Sequence, residues 1–414
     1  MASTHVPAAP GRIDEKAWLG PGLALAVMGW GANQFAPLIV LYEHRLGLTA
    51  AALNGIFGLY ALGLIPALLV GGRLSDRIGR RPVVLAALVV SAAGTCLLIV
   101  GGHSVAALVA GRTLSGVANG LAFGTGAAWV KELSSGAGDS GAGPRRATIA
   151  MTIGFSAGPF VSGILAQWVG APTVVPYLPH LALLAMAVFA VRGATDPARS
   201  AVSTPIRQAG DDSRTVTRHH GVLAHFLLVL VPFSPWVFGT AAIALAYLPT
   251  LIAPDVAGHA MAFSAVVTGI TALAGVLAQP LVRRVHRPDT ARLFLISMGT
   301  VIISIAIAAW AAQIRSPWMV LVASALLGIA YGATQFCGLS EVQQLVEPRS
   351  LGTATAVYQI LSYVGFSFPF LLSLTASHTA LSPATLLLIV AGIAAAATLW
   401  LAIITQTYTH RGQR

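Results

Sequence analysis

Apolar runs of about 20 residues alternate with short polar stretches along nearly the whole chain. A run of that length, almost free of charge, crosses the hydrocarbon core of a bilayer as one helix. The pattern predicts twelve such spans, over residues 18–41, 49–71, 82–101, 105–131, 147–169, 173–191, 221–249, 259–281, 291–312, 318–341, 352–376 and 383–406. Backbone polar groups in lipid must pair within their own segment, so the fold class is an all-α membrane protein. An even number of spans puts both ends of the chain on one side.

The longest polar stretch, 192–220, holds Pro, Ser, Asp and Arg and falls between the sixth and seventh spans. It divides the chain into a tail at 1–17, a six-helix bundle at 18–191, a linker at 192–220, a second six-helix bundle at 221–406 and a tail at 407–414. Rigid halves joined by such a linker keep their freedom to move. The halves also echo each other. Gly116 and Gly120 recur 212 residues later as Gly328 and Gly332. Gly154-Phe155-Ser156 recurs as Gly365-Phe366-Ser367, and Pro159-Phe160 as Pro369-Phe370. Several matches in order, at nearly one offset, predict a repeated six-helix unit with pseudo-two-fold symmetry, a common plan for secondary transporters.

Composition agrees, with 56% hydrophobic residues, 9% charged residues and a mean hydropathy of +0.79. A soluble domain carries about 25% charged residues. The net charge of +11 is no sign of nucleic-acid binding, because the charge is spread over short loops. All but Arg45, Arg112 and Arg315 of the 24 lysines and arginines fall in loops and tails on the side of the termini. By the positive-inside rule that side is the cytoplasm, which predicts a multi-pass protein of the cell membrane with both termini cytoplasmic. The first span is too long for a cleaved signal peptide and is expected to stay as the first helix. Cys96 and Cys337 both lie inside apolar runs, so no disulfide framework is expected.

Between the second and third spans runs Gly72-Arg73-Leu74-Ser75-Asp76-Arg77-Ile78-Gly79-Arg80-Arg81, read as a short basic loop. This Gly-x-Leu-x-Asp-Arg-x-Gly-Arg-Arg pattern resembles the loop between helices 2 and 3 of major facilitator superfamily transporters. The resemblance implies a conformational gate built from Gly72, Asp76, Arg77, Gly79 and Arg80, with Glu132 reaching the cluster from the inner end of the fourth span. It also implies that Asp76 docks near Gly352-Thr353, at the start of helix 11, in the outward-open state. Free N–H groups there favour an anion. The plainer alternative is that Asp76 only balances surface arginines. The loop between the eighth and ninth spans reads as a decayed copy, with Gln279, Leu281, Arg283, Arg284, Val285 and Arg287 at the matching positions.

The fourth span contains Arg112-x-x-x-Gly116-x-x-x-Gly120. Glycines four apart share one face and permit close helix approach. Arg112 sits seven residues into the span, roughly 10 Å deep. It resembles the family's helix 4 arginine, which implies a part in proton coupling; the alternative is snorkelling to the outer surface. In the fifth span, Gly154, Gly158, Pro159 and Gly163 form a Gly-x-x-x-Gly-Pro-x-x-x-Gly run. It resembles the antiporter motif of the 12-helix drug–proton exchangers, with Ser162 where the family usually has glycine. Proline there removes a hydrogen bond and kinks the helix, and glycines let a neighbour pack on the bend.

Amides are costly in an apolar span unless they find partners. Asn33 and Gln34, just before Pro37, therefore either line a central substrate cavity or bond neighbouring helices. Trp236, Phe238, Tyr331 and Gln335 are further cavity candidates, while His180 and His225 are expected to be structural. No span carries an acid near its midpoint; Glu43, Glu132 and Glu341 all sit toward span ends. No nucleotide motif, metal-ligand spacing or catalytic cluster is present, so no cofactor or metal and no enzyme activity is expected. The expected function is secondary transport by alternating access, proton-coupled efflux of small, largely apolar molecules by a monomer. A facilitator or uptake carrier for a sugar or other metabolite is the rival reading, favoured by the missing midspan acid.

Overall fold

The computed structural model describes residues 16–134, 142–196, 223–256, 258–285, 290–346 and 350–412. Most of the expected linker, much of both expected tails and the side chains of the second basic motif from Arg283 to Arg287 lie outside the described residues.

Twelve helical spans cross the molecule: α1 Leu19–Leu46, α2 Ala50–Ile78, α3 Arg80–Val100, α4 Val105–Ser134, α5 Ala142–Trp168, α6 Val175–Gly193, α7 Leu223–Val256, α8 Ala260–Val285, α9 Thr290–Ile314, α10 Pro317–Leu345, α11 over 351–378 and α12 Pro383–Gly412. Among the described residues there is no strand. Their outward surface is apolar, with Leu62, Val89, Phe189, Trp318 and Leu399 exposed, as lipid requires. Lipid tails are as apolar as these side chains, so helix association depends on close packing and on polar bonds between helices.

Local chemistry sets the ends. Gly47 takes a left-handed φ of 62° after α1, and the Thr49 hydroxyl then accepts the Ala52 N–H at 3.2 Å to cap α2. Ser316 caps α10 in the same way, ahead of Pro317 in the first turn. The basic motif is not a loop. Residues 72–78 complete α2, Arg80 already opens α3, and only Gly79 joins them, with φ at 98°. An L side chain rarely adopts that φ, which accounts for the glycine. The motif's charges are therefore held on helix ends.

Glycines set the close approaches, and the two halves use them alike. A Cβ added to Gly116 would collide with the Tyr60 carbonyl of α2, and one added to Gly328 would collide with the Thr271 carbonyl of α8. Gly332 meets the Gly275 backbone as Gly120 meets Leu64. Gly154 of α5 lies against Ala26 and Trp30 of α1, while Gly365 of α11 lies against Pro235 and Gly239 of α7. The repeated glycines thus make matching joints, α4 on α2 with α10 on α8, and α5 on α1 with α11 on α7.

Three spans break near their middles. In α1 the helix stops at Asn33, and a 3-10 turn at Ala36–Leu38 containing Pro37 precedes the helix Ile39–Leu46. In α7, π turns at Phe226–Leu230 and Ile243–Tyr247 flank the prolines 232 and 235. In α11 a 3-10 turn at Val364–Ser367 comes just before Pro369. Broken helices in a membrane are tolerated where protein or a cavity covers them.

Candidate functional site: a cavity between the halves and an ion-pair cluster at its rim

A cavity of about 800 Å³ lies between the halves. Its deep end is lined by Ala32, Tyr60, Phe238, Tyr331, Tyr363 and Phe366, all near span centres. Its walls carry Asn33, Phe155, Thr271, Gln335 and Gln359. It runs on to Pro144, Gln279 and Gln343, close to the ends of α5, α8 and α10 that share a face with Gly79. The cavity thus leads to this basic face. Among the described residues, no lining residue is charged.

The opposite face is shut by contacts between halves. Asn54 Nδ2 of α2 donates to Ser373 Oγ of α11 at 2.8 Å. Gln167 at the end of α5 donates to the Gly258 carbonyl at 2.5 Å and accepts the Ala262 N–H at 3.3 Å. A Cβ on Gly163 would lie 2.5 Å from Ala265 Cβ of α8. Between this seal and the cavity stands a packed ring cluster. Phe238 stacks on Tyr363 at 4.4 Å, and Phe366 touches Phe57, Tyr60 and Phe238.

At the basic face, Arg80 binds two helices at once. Its Nη1 donates to Asp76 Oδ1 and Ser75 Oγ, each at 2.6 Å, and its Nη2 donates to Glu132 Oε1 at 3.0 Å. Asp196, just past α6, accepts the Arg80 and Arg81 backbone N–H groups at 3.3 and 3.0 Å, capping the start of α3. Trp129 of α4 donates to the neighbouring Thr195 carbonyl at 2.8 Å. The cluster therefore ties α2, α3, α4 and the exit of α6 into one unit. Asp76 is 68% exposed and bonds within its own half rather than at the start of α11. Gly72 is exposed and lends its carbonyl to Ser75 Oγ, while Arg77 is exposed outside the network.

Arg112 is not at a surface. It is fully buried, so snorkelling is excluded. Nη1 donates to the Ala32 carbonyl at 3.1 Å and Nη2 to the Phe57 carbonyl at 3.0 Å. The rings of Tyr60, Phe35 and Phe57 surround the guanidinium, with centroids at 4.9, 5.0 and 5.3 Å. Its partners are carbonyls and ring faces, not a carboxylate. Ala32 and Tyr60 also line the cavity, so this cation stands directly behind the cavity wall.

In the α5 run, Gly154 and Gly158 pack on Trp30 of α1, and Gly163 packs on α8. Pro159 is buried within a continuous helix. Ser162 donates to the Gln34 carbonyl at 2.7 Å. The turn at Pro37 frees that acceptor, because the next backbone bond runs from Leu38 N–H to the Phe35 carbonyl. A glycine at 162 would leave the Gln34 carbonyl unpaired, which explains the serine.

Two cavity expectations are corrected. Gln34 is fully buried away from the cavity, donating to His180 Nδ1 at 3.0 Å and reaching Thr95 Oγ1 at 3.5 Å. His180 Nε2 faces the Val27 carbonyl at 3.1 Å, so Nε2 carries the proton and Nδ1 accepts. This buried network joins α1, α3 and α6. Trp236 is also buried outside the lining, donating to the Pro232 carbonyl at 3.0 Å with its ring edge-on to Phe368. Asn33, Phe238, Tyr331 and Gln335 do line the cavity. Sequence reasoning missed Tyr60, Gln279, Gln343, Gln359, Tyr363 and Phe366. Applying to every span the test used for Asn33 and Gln34 would have found the glutamines. His225 pairs with Glu341 at 2.7 Å, joining α7 to α10 near the basic face.

Among the described residues, twelve spans in two six-helix halves surround a cavity that leads to one face, the architecture of a multi-pass membrane protein. The sequence matches the model of the Major Facilitator Superfamily over residues 19–370, and the chain belongs to that family. No curated protein matches it. Among solved structures, a peptide transporter POT is similar with a TM-score of 0.77 at 12% identity, over 97% of this chain and 96% of that one. A POT family transporter in complex with 5-aminolevulinic acid gives 0.73 at 13% identity, over 94% and 96%. The nucleoside transporter NupG gives 0.72 at 13% identity, over 95% and 99%. At these identities the likeness is one of fold.

Proposed function

We propose that this protein is a secondary active transporter of the cytoplasmic membrane, working by alternating access as a proton-coupled exporter of small, largely apolar molecules. The observation that carries the reading is the 800 Å³ cavity that leads to the basic face while hydrogen bonds and glycine contacts seal the other. By the positive-inside rule the basic face is cytoplasmic, as are both termini. The cavity is then open to the cytoplasm, the state in which an exporter loads and an uptake carrier delivers. The bundles at 18–191 and 221–406 rock about it, joined by the linker at 192–220, in a monomeric chain.

The gating role falls to Gly72, Asp76, Arg77, Gly79, Arg80 and Glu132. With the cavity leading to the cytoplasm, Asp76 is held by Arg80; closure of that face brings α11 within its reach. Proton coupling falls to Arg112, whose buried charge responds to any change beside the cavity wall. The α5 run of Gly154, Gly158, Pro159 and Gly163 favours exchange through its resemblance to the antiporter motif, and its glycines pack on both α1 and α8.

One observation favours a second reading, facilitated diffusion or uptake of a sugar or similar metabolite. Among the described residues the lining holds no carboxylate to carry a proton. Inside-out vesicles acidified by respiration separate the two. An exporter loads substrate and releases protons as it does so. Loading that ignores a collapsed proton gradient supports the facilitator.

A further inference from the structure

The side chains around the cavity restrict the charge of what it can hold. Among the described residues no acid lines it, and the two acids of the rim cluster, Asp76 and Glu132, are already bound to Arg80. Glu341, beside the lining residue Ser340, is paired with His225. The fixed charge nearest the deep end is Arg112, which contacts the lining residues Ala32 and Tyr60 from behind and has no carboxylate partner. A cation entering the deep end meets a like charge and loses its hydration without a counter-ion. At roughly 10 Å and an effective dielectric of about 20, the repulsion alone weakens binding on the order of tenfold.

The lining also says what would be welcome. Four glutamines, Gln279, Gln335, Gln343 and Gln359, join Asn33 in facing one space. The Oε1 atoms of Gln335 and Gln359 are buried without a hydrogen-bond partner. A buried acceptor left unpaired is unfavourable, so each amide gains by turning its oxygen toward a donor in the cavity. A turn about the terminal bond lets each amide present a donor or an acceptor. Beside them lie the flat faces of Phe238, Tyr331 and Tyr363. Rings recognise rings, and amides recognise an edge that carries both donors and acceptors.

We propose that the cavity selects uncharged, flat-ringed molecules with a hydrogen-bonding edge, recognised by Gln335 and Gln359 of the second half, and rejects organic cations. This rests on the reading of the cavity as the transport site. It narrows "largely apolar" to molecules with an apolar face and a polar, uncharged edge.

Three isosteric probes test it: naphthalene-2-carboxamide, the matching amidinium and the matching carboxylate. Binding to the purified full-length protein is measured by calorimetry and by the shift in unfolding temperature. The amide is expected to bind tightest and the amidinium at least tenfold more weakly. Gln335→Leu and Gln359→Leu should each weaken the amide roughly three- to tenfold, the loss of about one hydrogen bond. Arg112→Gln should narrow the gap between amide and amidinium. An amidinium that binds as well as the amide overturns the proposal, and so does the absence of saturable binding by all three probes. The ranking in the wild-type chain needs no variant to fold and no gradient. Intact ranking with proton-independent transport would overturn proton coupling and leave this selectivity standing.

Discussion

The two halves share joints and differ in chemistry. In the first half, Asp76, Arg80, Glu132 and Asp196 knit helix ends at the basic face, and Arg112 is buried at the core. The second half supplies all four glutamines of the cavity and the rings of Phe238, Tyr331, Tyr363 and Phe366. Its clearest charged contact near the cavity is His225–Glu341. Yet α4 sits on α2 through Gly116 and Gly120 just as α10 sits on α8 through Gly328 and Gly332. A duplicated scaffold has thus kept its packing while its polar residues diverged. In the proposed function the first half carries the switching and the second most of the recognition.

The largest effect should come from the shared joints and should not distinguish the halves. Gly116→Leu and Gly328→Leu each drive a side chain into backbone, and overpacking of this kind costs about 1–3 kcal/mol or more. Both should lose monodisperse folded protein on size exclusion. Gly299→Leu and Gly392→Leu, where an added Cβ meets nothing within 4 Å, should not.

Arg112→Ala comes next and should affect only the first half's task. It removes the hydrogen bonds to the Ala32 and Phe57 carbonyls and empties a cage of three rings. Proton-driven accumulation in vesicles should fall to background, with Arg112→Lys recovering part because the charge remains but the fork of donors is lost. Normal accumulation by the Ala variant would remove Arg112 from coupling.

Gln335→Leu should act on the second half's task. The apparent KM of transport should rise roughly three- to tenfold with kcat nearly unchanged, as expected when binding common to ground and transition states is lost. A fall in kcat at constant KM would place Gln335 in switching instead. The smallest effect belongs to Ser162→Ala, which removes the bond to the Gln34 carbonyl and should cost on the order of 1 kcal/mol of stability, read as a lower unfolding temperature with substrate preference unchanged.

What was legible in the sequence follows the same division. Span count, the repeat and the basic motif depend on composition and local order, so they could be read directly. The motif's form could not. Residues 72–81 read as a loop because they are polar, but they end one helix and open the next on either side of Gly79, with Asp76 and Arg80 paired across that single junction. The cavity was half legible. Whether an amide faces the cavity or a neighbouring helix depends on rotation about the helix axis. Asn33 and Gln34 are adjacent, about 100° apart on a helix, and one lines the cavity while the other binds His180. Trp236 and Phe238 separate in the same way. The environment of Arg112 required knowing that α1 and α2 both bring carbonyls to it.

The division of labour between halves is tested most directly by spin-label distances across the basic face, between Arg73→Cys on α2 and Gln344→Cys on α10. Asp76→Asn should lengthen the distance distribution without ligand, because the state that closes this face loses its docked acid and populations shift accordingly. Gln335→Leu should leave that distribution unchanged and only move the response to bound ligand to roughly three- to tenfold higher concentration. The account is contradicted if Gln335→Leu redistributes the empty protein, or if Asp76→Asn leaves both the distribution and the transport rate at wild-type values.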